Sequence, residues 1–201
     1  MEEAGKNWSD GVNTVNIERR VALDERQRVA EMSPAEMRRL LLTSEVTGLP
    51  NRRAFGEAGT APAVAMSDLD GLKALNDRYG YEVGNDFLRS KADALREVGL
   101  NAYHDKGDEF LCRGNDANEL IAKLECARAI LRNRIVVVEG INGILRLTGG
   151  DFSYGVGNDL DEAELRLKQH KTKRETDGEL ERGKLRGIRL LHHAERRAVM
   201  K

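Results

Sequence analysis

Cysteine is almost absent from this chain. Cys112 and Cys126 are the only two, too few and too isolated for a disulfide framework or a zinc site. No apolar run approaches the roughly 20 residues that a membrane-spanning helix needs. The first residues, with Glu2, Glu3 and Lys6, lack the basic-then-apolar layout of a signal peptide. Net charge is also missing: 33 Lys and Arg stand against 34 Asp and Glu, so neither nucleic acid nor a membrane surface is expected as a partner. Internal repeats and low-complexity linkers are absent too. The expectation is a cytoplasmic protein with reduced thiols. What is present is a charged composition, 40% hydrophobic and 33% charged over 201 residues, enough for one domain with a real core and one accessory element.

Residues 13–43 read as a helical leader. Ile17, Val21, Val29 and Met32 fall loosely on a helical period, and Ser33-Pro34-Ala35-Glu36 carries a start signal: an N-cap, Pro at the first helical position and a capping-box Glu. Two helices broken near Ser33 are expected, with Met37, Leu40 and Leu41 packing the second. Such a leader either joins two copies or lies across its own domain. Residues 48–53 form a turn that opens a helix. Ala63–Met66 reads as a buried strand, with Asp68-Leu69-Asp70-Gly71 at its C-terminal end. Helix follows over Leu72–Arg78, breaks at Tyr79-Gly80 and returns over Val83–Val98, with Phe87, Leu88, Leu95 and Val98 as core candidates.

Asn101–Arg113 reads as a hairpin turning at Lys106-Gly107. An amphipathic helix follows through Leu120, Ile121, Leu124, Ala127 and Leu131. Ile135–Val138, Ile144–Leu147 and Phe152–Val156 read as strands, the first two joined by a turn at 140–143. Gly149-Gly150-Asp151 is a loop into the third, and Leu160–Lys173 is a helix. Cys112 reads as a buried small hydrophobe. From residue 168 onward eleven Lys and Arg face five Asp and Glu, a basic end read as solvated surface, with His192 and His193 at an exposed helix end. Helices alternating with strands predict an α/β sandwich around one sheet, divided as leader 1–43, domain 44–188 and tail 189–201.

Asp68 and Asp70 stand at one strand end and Asp108-Glu109 follow the hairpin turn. If the hairpin lies beside the 63–69 strand, the two clusters converge. Such carboxylates suit Mg²⁺, which takes hard oxygen ligands together with substrate phosphates, as two-metal phosphoryl transfer requires. Taken alone, Asp-x-Asp at a strand end can equally cap the next helix. Five motifs in order add to this. Val46–Arg53 resembles the LTGLPNRR opening of GGDEF domains, and Asp68–Lys73 with Asn76, Asp77 and Gly80 resembles their DxDxFKxxND…G segment. Lys106-Gly107-Asp108-Glu109-Phe110 resembles the signature itself. Ser153–Val156 resembles the SIGV strand, and Ala163–Leu167 with Lys171 resembles the ADxAL…AK helix.

The resemblance implies a palm-like nucleotide cyclase fold, with a central mostly antiparallel sheet flanked by helices. It also implies condensation of two GTP molecules into cyclic di-GMP and pyrophosphate, with Mg²⁺ (or Mn²⁺) as cofactor and a homodimer, since each protomer holds one GTP. Carried over, Asp68, Asp108 and the Leu69 carbonyl are metal ligands, and Asp108 also accepts the 3′-hydroxyl proton. Glu109 is a supporting acid and Lys73 offsets phosphate charge. Asn76 and Asn85 bind guanine, Lys106 and Gly107 line the nucleotide, and Lys171 binds phosphate.

The departures fall on the site itself. Lys106 replaces the signature's first Gly, which keeps a side chain away from the nucleotide; it either blocks the site or swings out and adds charge to the phosphates. Asn85 replaces an Asp that reads guanine, and an amide donates as well as accepts. Ser44, Tyr81 and Glu175 replace a usual Asp, His and Arg. Glu97 and Leu100 stand where the family has an inhibitory Arg-x-x-Asp, so that feedback site is not expected. The alternative to a cyclase is therefore a degenerate domain that binds a nucleotide or a protein without turnover.

Overall fold

The computed structural model of the chain describes residues 30–140, 143–180 and 188–194. The helix expected before Ser33 falls almost entirely outside them, as do the turn residues 141–142 and the last seven residues. The chain divides into two units, Met1–Leu41 and Leu42–Lys201. Helix α1 (Pro34–Leu42), in the first unit but for its last residue, follows Ser33. Ser33 Oγ accepts from the Glu36 N–H at 3.2 Å, and the Glu36 carboxylate accepts from the Ser33 N–H at 2.9 Å, the reciprocal pair of a capping box. Met37, Leu40 and Leu41 do not pack as expected: all three are exposed, and α1 has no buried residue.

The second unit opens with α2 (Arg52–Glu57). The Asn51 side chain accepts from the Arg53 and Ala54 N–H groups, satisfying two orphan donors of the first turn. Then come β1 (Ala63–Leu69), α3 (Leu72–Tyr79), α4 (Tyr81–Glu97), β2 (Asn101–Lys106), β3 (Glu109–Gly114) and α5 (Ala117–Asn133). The chain continues through β4 (Val136–Gly140), β5 (Gly143–Thr148), β6 (Phe152–Gly157), α6 (Leu160–Thr176) and β7 (Arg189–Ala194).

Strand β1 is central, in a four-stranded antiparallel sheet of order β2-β3-β1-β6. Its alternation sorts two cores. Ala63, Ala65 and Leu69 join Leu75, Phe87, Leu95, Leu124 and Leu131 on the α3–α4–α5 side. Val64 and Met66 join Phe55, Tyr103, Leu111, Ala163 and Leu167 on the α2–α6 side. Phe87, Leu88 and Leu95 are buried as expected, and Cys112 has no exposed surface. Burial pushes its thiol up to about 12, which keeps it protonated and inert. Ile121, expected with its neighbours in the α5 core, is exposed.

Two expectations are corrected. The strands do not form one sheet, because β4, β5 and β7 make a second, three-stranded antiparallel sheet. His192 and His193 are not a helix end but lie in β7, paired with Arg146 and Leu145. The edge of β5 offers backbone donors and acceptors, and the 189–194 segment pairs with them.

The helix that closes the α2–α6 side lies unusually near the sheet. A Cβ on Gly155 would stand 2.2 Å from both the Ala163 carbonyl oxygen and the Leu167 nitrogen. Only a residue without a side chain permits that approach, and it brings Lys171, further along α6, to the end of β1.

Candidate functional site

Asp68 and Glu109 are directly opposite each other on β1 and β3, and the Leu69 N–H donates to the Asp108 carbonyl at 3.1 Å. The two acidic clusters therefore converge at the end of two adjacent central strands. Between β2 and β3 the turn residues are Gly107 and Asp108, one place beyond the expected Lys106-Gly107 pair. Gly107 takes φ +53°, a conformation that Lys106 adopts only at a cost, so Lys106 ends β2 instead.

Lys171 Nζ stands 2.6 Å from Asp68 Oδ1, both side chains being largely covered. Lys106 swings outward. Its side chain is 77% exposed and its ammonium lies 3.6 Å from Glu109 Oε2. Lys73 is not drawn into the cluster: on the solvent side of α3 it pairs with Asp77 at 2.9 Å and is 87% exposed. At the α3–α4 joint, Asn76 Oδ1 is buried with no hydrogen-bond partner among the described residues. Gly84 leaves it room, since a Cβ there would meet Asn76 Oδ1 at 1.9 Å. Asn85, half-buried, is the next residue. Asn76 is thus an acceptor held without a protein donor, which a planar base with N–H groups could satisfy.

The donor set fits magnesium in kind. Asp68, Asp108, Glu109 and the backbone carbonyls are hard oxygen atoms. Among the described residues no three His, Cys, Asp or Glu side chains form a metal cage, and a site that completes its shell with phosphate oxygens and water does not need one. Lys171 occupies Asp68 in this arrangement, so a metal cation there requires that ammonium to move aside.

Several residues at the site carry weight that the sequence reading passed over. His104 Nε2 lies 3.0 Å from the Gly107 carbonyl, which can only accept, so Nε2 carries the proton and Nδ1 accepts from the Ser44 hydroxyl at 2.6 Å. Burial lowers the His104 pKa, which keeps the ring neutral as this arrangement needs. Ser44, where the family has an Asp, is thereby matched to a neutral partner. Asp70 does not face the cluster. It accepts from Ser153 Oγ at 2.9 Å and pairs with the buried Arg174.

Arg174 also reaches Asp151, as do Arg128 at 3.0 Å and Arg132 at 2.7 Å. A cleft of about 480 Å³ opens beside these groups, but neither Asp68 nor Asp108 lines it. Burial opposes ionisation of Asp151, yet the hydrogen bonds from Arg128 and Arg132 outweigh it and hold its pKa below 3.8. Stability from this group is therefore complete above pH 3.8 and lost as pH falls through the lower folded value. Asp151→Asn should cost about 3 kcal/mol at neutral pH. Thermal melts should find the wild type and variant converging in acid; a difference that persists there would point to packing instead.

Lys91 is the other omission. It is fully buried on α4, with Nζ 4.2 Å from the Phe110 ring centre, 4.9 Å from that of Phe152 and 3.4 Å from the Asp108 carbonyl oxygen. Burial pushes its pKa down to about 8, against the pull of Asp68, Asp70 and Asp108. The signal was present in the sequence, since Lys91 follows the core residue Phe87 by four and shares its helical face.

Comparison with known proteins agrees with this geometry. Residues 42–139 match the family model described as diguanylate cyclase, GGDEF domain. Over 115 residues the chain is 33% identical to the diguanylate cyclase VdcA of Vibrio cholerae, covering 52% of this chain and 34% of that protein. It is 29% identical over 114 residues to the cyclic di-GMP phosphodiesterase PdeR of Escherichia coli, covering 49% of this chain and 17% of that one. The chain thus spans about a third or less of either relative. Among solved structures, the complex of diguanylate cyclase SiaD with its activator SiaC from Pseudomonas aeruginosa superposes with a TM-score of 0.56. Its identity is 23%, with 82% of this chain and 78% of that chain covered, a likeness of fold. Sequence motifs, strand order and family match agree: the chain carries a domain of the GGDEF family over residues 42–139.

Proposed function

We propose that this chain is a Mg²⁺-dependent diguanylate cyclase, acting in cyclic di-GMP signalling as a homodimer in which each protomer holds one GTP. One observation carries the reading: the Leu69 N–H donates to the Asp108 carbonyl at the strand end and Lys171 stands on Asp68, so two acids and a cation share one locus. Bound Mg²⁺ would supply Lewis acidity, offsetting triphosphate charge and acidifying the 3′-hydroxyl. The Asp68 and Asp108 carboxylates would hold it, with the Leu69 carbonyl. Asp108 takes up the 3′-hydroxyl proton, and Lys171 moves from Asp68 to the phosphates. Asn76 Oδ1 accepts from the guanine edge, which satisfies its buried lone pairs. Lys106, turned outward, leaves the face of Gly107 open: a Cβ there would meet nothing within 4 Å.

A second reading has its own support. Lys73 is engaged by Asp77 and Lys106 lies beside Glu109, so cations that would meet a triphosphate are spent within the chain. That favours a domain that binds nucleotide or protein without turnover. Pyrophosphate release separates the two. Release with GTP and Mg²⁺, absent with EDTA and much weaker with ATP, is the expected result. A folded protein that releases none supports the second reading, and equal release from ATP would indicate a nucleotidyl transferase of different base selectivity.

A further inference from the structure

Three acids gather at the end of the central strands, and two have a cation on their carboxylate. Asp68 has Lys171, and Glu109 has Lys106 at longer range, while Asp70 is turned away to Arg174. Asp108 has no ion pair on its carboxylate among the described residues. What reaches Asp108 comes from beneath: the Lys91 ammonium, on the α3–α4–α5 side of the sheet, meets its carbonyl oxygen at 3.4 Å. Lys91 and Lys171 therefore approach the acidic end of the sheet from opposite faces.

The setting of Lys91 is costly. Its side chain has no exposed surface, so the ammonium does not reach water as lysines usually contrive to do. It faces two aromatic rings and one carbonyl, with no carboxylate in direct contact. A Met of similar volume would fill the same space without desolvating a charge. Two features offset the cost: the negative faces of Phe110 and Phe152, and the field of the carboxylates above them. In a medium of low effective dielectric that field acts over several ångströms.

We propose that Lys91 is a built-in counter-cation of the acidic strand end, supplying from inside the core part of the positive charge that a divalent ion supplies from outside, and anchoring the Asp108 peptide as it does so. It is a positioning residue, since it touches Asp108 through the backbone and meets no substrate. The inference uses the functional reading only in taking Asp68 and Asp108 as the cation-binding acids. By this account the metal-free site is already partly neutralised, so the domain keeps its carboxylates together before any ion arrives. The same charge weakens the attraction for the ion.

The test is a thermal double-mutant cycle on the full chain, metal-free and at neutral pH, with Lys91→Met, Asp108→Asn and the pair combined. In the wild-type background Asp108→Asn keeps the carbonyl contact but removes a carboxylate whose field offsets the buried Lys91 charge, and lowers Tm. With Lys91→Met it relieves repulsion among acids and raises Tm. That reversal of sign is the expected result, and equal shifts in both backgrounds would overturn the proposal. Mn²⁺ titration, read from the electron paramagnetic resonance of free Mn²⁺, gives a second readout. Lys91→Met should bind the ion tighter by on the order of tenfold; unchanged affinity, or no binding by either folded protein at millimolar Mn²⁺, would contradict it. Should Lys91→Met not fold, Lys91→Gln carries the same comparisons. Neither readout involves GTP, so a chain that never forms cyclic di-GMP leaves the proposal standing, and an active chain without the coupling overturns it alone.

Discussion

Asp108→Ala should abolish formation of cyclic di-GMP, lowering the rate about a thousandfold or more, while the protein remains folded. The reasoning separates the backbone of this residue from its side chain. The carbonyl of Asp108 accepts from the Leu69 N–H and from Lys91, and Ala retains both contacts. Gly107 sets the turn, and Ala at 108 leaves it unchanged. What is lost is a carboxylate that in the proposed chemistry both holds the metal and takes the 3′-hydroxyl proton. Asp68 is itself committed to the metal and Glu109 lies beside Lys106, so neither is free to replace it. Circular dichroism confirms the fold and product chromatography reads the rate. A variant that is folded and active would remove Asp108 from the chemistry.

The second large effect falls far from the acids in sequence. Gly155→Ala should destabilise the domain by about 3 kcal/mol, because the new Cβ would enter the backbone of α6, 2.2 Å from the Ala163 oxygen and the Leu167 nitrogen. Backbone atoms in a packed helix do not rotate aside as a long side chain does, so the helix itself must lift. Lys171 is carried by that helix, and lifting it pulls the ammonium away from Asp68. The expected outcome is a lowered thermal midpoint together with a raised KM for GTP in whatever fraction stays folded. A variant with wild-type stability would mean that α6 yields without cost.

Much of this architecture is legible in the sequence because its local signals agree with its tertiary roles. Asn51 before a helix, Ser33 with Glu36, and the alternation of Ala63–Leu69 each have one physical meaning that the fold uses. The acids at 68 and 108 are legible for another reason, since several motifs in order fix them to neighbouring ends of adjacent strands. Other features depend on contacts that no local pattern encodes. Lys106 at the turn reads equally as a block or as a free cation, and only the outward direction of its side chain, toward Glu109, separates the two. Asp151 looks like a loop residue until Arg128, Arg132 and Arg174, from two different helices, are brought onto it. The 189–194 segment reads as basic surface because its strand character comes from the open edge of β5 rather than from its own residues. Lys91 was visible as a charge on an apolar helical face, but its use depends on which carbonyl and rings lie opposite.

The measurement that bears most directly on the central claim is chromatographic analysis of nucleotides after the full chain, at high protein concentration, is incubated with GTP and Mg²⁺. The account predicts cyclic di-GMP as the product. GTP recovered unchanged from a folded sample would contradict it.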